Sequence, residues 1–326
     1  MLELFRKNTL LNNTLLLLYT FCVRAVFIFN RDMPRDPEGG ILFEYTKSMF
    51  TIGSLGEVLF TSFLIFIQAT LLNRICGVNK ITRENSLLPG LFLVLLSSLS
   101  VSFLALSPIM MANFFLLIAI HNFFLSSKDS GAASRIFNTG FFTSVAAFCF
   151  QPYLIFLIVF FVGMALLRSF KWVERIQMLT GIFVPYLLLF IYGFVFDHIP
   201  LIIKLQWYKQ FDFIHSFAEI SWSVFIPFAY YLIALLIGLL SYNGLIFRQN
   251  VQARRKINLL YFITLVSGFV IWFQSELRWT DVQSAIIPLA FLMGAFLQIV
   301  KNKLLSELIH LIFLSGVLFL HYYFSA

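Results

Sequence analysis

Residues 87–126 read LLPGLFLVLLSSLSVSFLALSPIMMANFFLLIAIHNFFLS, a run without one Asp, Glu, Lys or Arg. No soluble domain has a surface that could carry such a run, and a membrane-crossing helix needs about 20 predominantly apolar residues. Ser107-Pro108 falls near its middle. Proline lacks a backbone donor and clashes with the turn before it, so the run divides there. It makes either two short spans with a tight turn or one kinked element. Gln151-Pro152 poses the same alternative between the runs 136–150 and 152–167. The runs are continuous, without the period-2 alternation of a membrane β-barrel, and that class is excluded.

Outward from this stretch the pattern repeats along the chain. Apolar segments lie at 10–30, 58–73, 87–107, 109–126, 136–150, 152–167, 177–197, 223–245, 258–274, 282–300 and 308–324. Over all 326 residues, 60% are hydrophobic and 12% charged, where soluble chains have about 45–50% and about 25%. The expected fold is all-α: one polytopic transmembrane domain over 1–326 with about eleven spans. Arg6 and Lys7 precede the first run, which continues past Arg24 to Phe29 without a small-residue cleavage site. It reads as an uncleaved anchor.

The net charge of +8 is unevenly spread. With the amino terminus inside, the segments 1–9, 74–86, 127–135, 168–176, 246–257 and 301–307 are internal. They hold all the Lys and Arg except Arg24, Arg31, Arg35, Lys47, Lys204, Lys209 and Arg278. This follows the positive-inside rule. It points to an inside amino terminus and, with eleven spans, an outside carboxyl terminus. Basic loops read as topology determinants, and no aromatic-interleaved patch suggests nucleic acid. Cys22, Cys76 and Cys149 fall in spans or in an inner loop, where no disulfide is expected. No Cys/His spacing suits a metal.

Both long hydrophilic segments, 31–57 and 198–222, face outward. Prolines and glycines turn the first one through Asp32, Asp36 and Glu38. Downstream, Tyr45, Met49 and Ile52 share a helical face opposite Lys47, Ser48 and Thr51, the pattern of a surface helix. A carboxylate at this boundary can serve as general base; Asp32, Asp36 and Glu38 are the candidates. Arg24 and Arg35 are the cations for structural charge pairs with these carboxylates. In the second segment Ile203, Trp207 and Ile214 share a face. Lys204 and Lys209, with Arg278, are candidates for holding a lipid phosphate. Gln68, Asn113, Asn138, Gln151, Gln274 and Gln298 lie within spans and are expected to join helices. His310 and His321 share one helix face about 16 Å apart, too far to ligate one metal.

A first span, an acidic outward loop with a surface helix, and hairpin spans containing Gly140-Phe-Phe-Thr-Ser-Val-Ala-Ala-Phe-Cys-Phe-Gln151-Pro152 resemble the layout of the GT-C superfamily over residues 10–200. Those integral-membrane glycosyltransferases use polyprenyl-phosphate-linked sugars. The resemblance implies transfer at the outer face, with the catalytic acid in the first outward loop. Gln151 stands where the family carries a basic residue before proline, and the loop carboxylates are not adjacent. The Phe-, Ile- and Leu-rich chain also resembles an uncharacterised inner-membrane family of Bacteroidota. That resemblance implies no activity; it implies a bacterial inner membrane, with a cytoplasmic amino terminus and a periplasmic carboxyl terminus. A non-catalytic subunit scaffolding an envelope or secretion complex with a membrane-protein partner is the alternative. No cofactor is indicated by either reading.

Overall fold

The computed structural model describes residues 2–25, 39–51, 53–82, 84–100, 103–127, 131–168, 170–208, 216–217, 222–247, 249–271, 276–277 and 279–325. The architecture is all-helical. The chain folds as α1 (Leu2–Phe5), α2 (Leu10–Arg24), α3 (Ile41–Ser48), α4 (Leu55–Val78), α5 (Leu88–Leu96), α6 (Pro108–Ser126), α7 (Ala133–Cys149) and α8 (Phe156–Leu167). It continues with α9 (Trp172–Val195), α10 (Ile199–Ile203), α11 (Trp222–Leu240), α12 (Tyr242–Ile246), α13 (Val251–Val270), α14 (Ile286–Ile299) and α15 (Lys303–Ser325). A two-residue parallel backbone pairing joins Ser216 to Glu276 and Phe217 to Leu277.

Among the described residues, five segments are long and apolar enough to cross a membrane: α4, α6, α9, Val282–Ile299 and α15. Leu10–Arg24, Gln151–Leu167 and Phe225–Leu240 are shorter apolar helices. Among the described residues of the segment expected to span at 87–107, the α-helix runs from Leu88 to Leu96, nine residues, or about 14 Å at 1.5 Å per residue.

That short helix is the centre of the molecule. Every residue of α5 is buried, between α4 and α14. Glycines let the three backbones close up. A Cβ on Gly294 would lie 2.4 Å from the Pro89 nitrogen, and one on Gly90 would lie 2.7 Å from the Ala69 carbonyl oxygen. Small residues are how membrane helices gain van der Waals contact where lipid removes the hydrophobic drive between them.

Both proline junctions are turns. Ser107 caps α6, its Oγ accepting from Met110 N at 3.0 Å, with Pro108 at the first helical positions. A 3₁₀ turn at Gln151–Ile155 separates α7 from α8. Proline suits a first turn because the N–H it lacks would have no partner there.

Hydrogen bonds gather the basic segments at one end of the bundle. Arg6 donates to Leu297 O at 3.4 Å, and Asn8 to Asn85 at 3.2 Å. Lys256 donates to Asn79 at 2.9 Å and to Phe124 O at 3.0 Å. Arg168 pairs with Glu174 at 2.7 Å and also reaches the Ser126 carbonyl. Lys303 pairs with Glu3. At the opposite end, Ser107, Asn113, Tyr153 and Gln283 are joined by hydrogen bonds.

Candidate functional site

A helix leaves its first N–H groups and last carbonyls without internal partners. For a helix buried along its whole length, as α5 is, other elements must satisfy them. At the start, Gly90 N donates to Asn73 Oδ1 at 2.7 Å, and Leu87 N donates to Phe5 O at 2.8 Å. At the other end, three successive carbonyls are taken by three helices. Tyr231 OH of α11 donates to Leu96 O at 2.8 Å, Arg24 Nη1 of α2 donates to Ser97 O at 3.3 Å, and His321 Nε2 of α15 donates to Ser98 O at 2.8 Å. Arg24 Nη2 also donates to Leu104 O at 2.8 Å.

Arg24 is 1% exposed. Its partners are carbonyls, and the negative end of the α5 dipole faces it, where a cation is stabilising. The expected pairing of Arg24 with Asp32 or Asp36 concerns carboxylates outside the described residues, as is Arg35. Among the described residues, Arg24 Nε, Ser98 Oγ and His321 Nδ1 are buried and make no hydrogen bond.

The broken segment after α5 is held from its other side as well. Glu57, 1% exposed in the first turn of α4, accepts from Leu106 N at 3.2 Å and from Gly53 N at 3.0 Å. Ser107 Oγ donates to Gln283 Oε1 at 2.8 Å. Asn113 donates to Gln283 O at 2.9 Å and accepts from Tyr153 OH at 2.7 Å. Irregular backbone at membrane depth is tolerated only when protein satisfies it, and these side chains do so.

A second knot of amides ties the surface helix to the hairpin. Gln206, fully buried, accepts from Ile41 N at 3.2 Å and donates to Ala147 O at 2.6 Å. It also donates to Gln151 Oε1, which takes the Tyr186 hydroxyl at 3.0 Å. Gly40 N donates to Cys149 O at 2.7 Å. A Cβ on Gly40 would sit 2.2 Å from the Phe148 carbonyl oxygen, so only glycine permits this approach.

Beside this knot an apolar crevice of about 380 Å³ opens between α9 and α10. Phe183, Tyr186, Phe190, Ile202, Ile203 and Trp207 line it. Lys204 follows Ile203 at the start of a π-turn, Lys204–Tyr208, and its side chain is exposed.

Of the expected site residues, Asp32, Asp36, Glu38, Lys209, Arg278 and Arg35 lie outside the described residues; Lys204 and Arg24 are placed. The backbone pairing of 216–217 with 276–277 joins the second hydrophilic segment to the segment that precedes Arg278. A helix, α3, is present at Ile41–Ser48, and Ile52 of the expected face lies outside the described residues. The helix buries Phe43 and exposes Tyr45 and Met49.

Gln68, Asn113, Gln151 and Gln298 join elements as expected. Gln68 donates to Met110 O at 2.9 Å, and Gln298 donates to Ser86 Oγ. Gln206, Gln283 and Glu57 were missed by sequence reasoning. Each lies in or beside a segment read as a loop or span boundary, where polarity is unremarkable.

Comparison of the chain with protein-family models, with characterised proteins and with solved structures finds no match.

Proposed function

We propose that this is a bacterial inner-membrane protein of about eleven crossings that binds a polyprenyl phosphate. Its basic end would lie on the cytoplasmic side, in keeping with the positive-inside rule. The observation that carries this reading is the crevice between α9 and α10. Its volume, about 380 Å³, lies in the range of small-molecule sites. Its walls are aromatic and aliphatic, as a hydrocarbon tail requires. Lys204, at its margin, supplies a cation for phosphate, and Trp207 beside it suits headgroup depth. In a GT-C-like transfer, Asp32, Asp36 or Glu38 would act as general base. Lys204, Lys209 and Arg278 would stabilise the leaving phosphate.

The test is native mass spectrometry of the full-length protein released gently from its own membrane. The expected result is a retained polyprenyl phosphate that Lys204→Gln and Trp207→Ala weaken. Loss of a radiolabelled sugar transfer in Asp32→Ala/Asp36→Ala, with expression unchanged, would support catalysis. Bulk phospholipid alone refutes the binding reading.

One observation favours a scaffolding subunit instead. The buried side chains of Glu57 and Gln206 at this end are engaged in holding backbone, and only 22% of the apolar window of α9 is buried within the chain. That reading predicts a stoichiometric membrane-protein partner in the same spectrum.

A further inference from the structure

At the basic end, away from the crevice, a polar cleft of about 630 Å³ opens where the end of α4 meets the segment before α13. Lys80, Thr82, Glu84, Asn85, Gln249 and Asn250 line it. The chain enters the cleft through a Schellman turn. Lys80 N donates to Gly77 O at 3.1 Å and Ile81 N donates to Cys76 O at 3.1 Å. That geometry puts the residue after the cap in the left-handed region, and Lys80 occupies it with φ of 52°. Glycine is the usual residue at such a position. A lysine there carries backbone strain, which is characteristically kept where the side chain has a use.

The lining has a charge pattern that the protein leaves open. Lys80 and Glu84 border the same cleft, yet among the described residues neither has an ion-pair or hydrogen-bond partner for its charged group. Asn85 Oδ1 accepts from Asn8 at 3.2 Å and Asn250 Oδ1 from Ala253 N at 2.7 Å. Among the described residues, both amide NH₂ groups then remain without a partner. Asn85 is positioned by Gly77, where a Cβ would lie 2.6 Å from its Oδ1. Among the described lining residues, one cation, two neutral donors and one carboxylate, with the opposite charges not in contact, suit a ligand that bears both signs.

We propose that this cleft binds a zwitterionic aminophosphate, its phosphate held by Lys80 and the two amides and its ammonium held by Glu84. A phosphoethanolamine lipid headgroup and free O-phosphoethanolamine share this chemistry. The site is independent of the crevice at the other end and of the reading built on it.

The full-length protein in detergent is offered phosphatidylethanolamine and phosphatidylglycerol with identical acyl chains, and retained lipid is read by native mass spectrometry. Preferential retention of one phosphatidylethanolamine is expected. Lys80→Gly should weaken it about tenfold or more, the scale of a lost charge-assisted contact. That variant relieves the left-handed strain, so the fold should be at least as stable and weaker binding cannot be ascribed to misfolding. Glu84→Gln should abolish the preference over phosphatidylglycerol. Displacement by O-phosphoethanolamine assigns the site to the headgroup alone, and resistance to it assigns the lipid. If neither lipid is retained, calorimetric binding of O-phosphoethanolamine to the same protein assigns a soluble ligand, and absence of that binding overturns the proposal. Equal retention of both lipids, or retention unchanged by Lys80→Gly, also overturns it.

Discussion

The contact of α7 with α9 gives a sharp test of the packing. A Cβ on Gly140 would lie 2.3 Å from the Met178 carbonyl oxygen, and a Cβ on Gly181 would lie 2.2 Å from that of Phe137. Both obstacles are backbone, so neither can swing aside. Ordinary contact begins near 3.4 Å, so an alanine at either site forces the helices apart by roughly 1 Å in a close-packed interior. Overpacking of this kind costs about 1–3 kcal/mol, and the helix preference of alanine over glycine returns about 1 kcal/mol. A net loss of up to about 2 kcal/mol is expected for Gly140→Ala and for Gly181→Ala. The same separation relieves both clashes. The double variant should therefore lose much less than the two single losses combined, a coupling characteristic of neighbouring sites. Ser144 Oγ, which donates to Ile182 O at 3.0 Å across this interface, should lose that bond in every variant. Reversible unfolding in mixed micelles of dodecyl maltoside and SDS measures the cycle. Strictly additive losses, or a single alanine that stabilises, would refute the close approach.

Three further outcomes are expected. Asn73→Leu strips the buried Gly90 N–H of its acceptor and should cost about 1–3 kcal/mol, read in the same unfolding assay. Arg24→Lys keeps the charge but cannot span the Ser97 and Leu104 carbonyls; a loss of about 1.5–3 kcal/mol is expected, and wild-type stability would show that the second bond is dispensable. Lys303 holds the Glu3 carboxyl below its ordinary value of 4.5, chiefly through their hydrogen bond. A lowered folded-state value means that the contribution is present above pH 4.5 and is lost as the pH falls through the folded value. Protection factors at residues 2–6, taken relative to the intrinsic exchange rate at each pH, should then fall on acidification in wild type and be indifferent to it in Glu3→Gln.

Much of the architecture was legible because its causes are local. Continuous apolar runs require helices in lipid, since every backbone group must be satisfied internally; Pro108 and Pro152 begin new helical segments, where the donor they lack is not needed, whereas Pro185 and Pro227 lie inside α9 and α11. The end of α5 at Leu96 was not legible as a break. The stretch that follows it is as apolar as its neighbours, and nothing in its own residues tells a helix from an irregular segment whose carbonyls are bonded by Arg24 and His321. Arg24 itself was legible as an unusual charge, but its partners lie 73 and 80 positions away. The candidate site divides in the same way. Trp207 and Lys204 were noticed for residue type, whereas the crevice beside them depends on α9 packing against α10. Gln206, from the same segment, went unremarked, although it joins Ile41, Ala147 and Gln151.

The sequence alone determined that this chain is helical and apolar enough for a membrane, and where its charges lie, because hydropathy and charge are sums over neighbouring residues. Only the tertiary structure decided that α5 is a nine-residue helix at the centre, because the length of a buried helix is set by which side chains arrive to bond its ends. Those side chains come from α2, α4, α11 and α15, and no local pattern records that they meet.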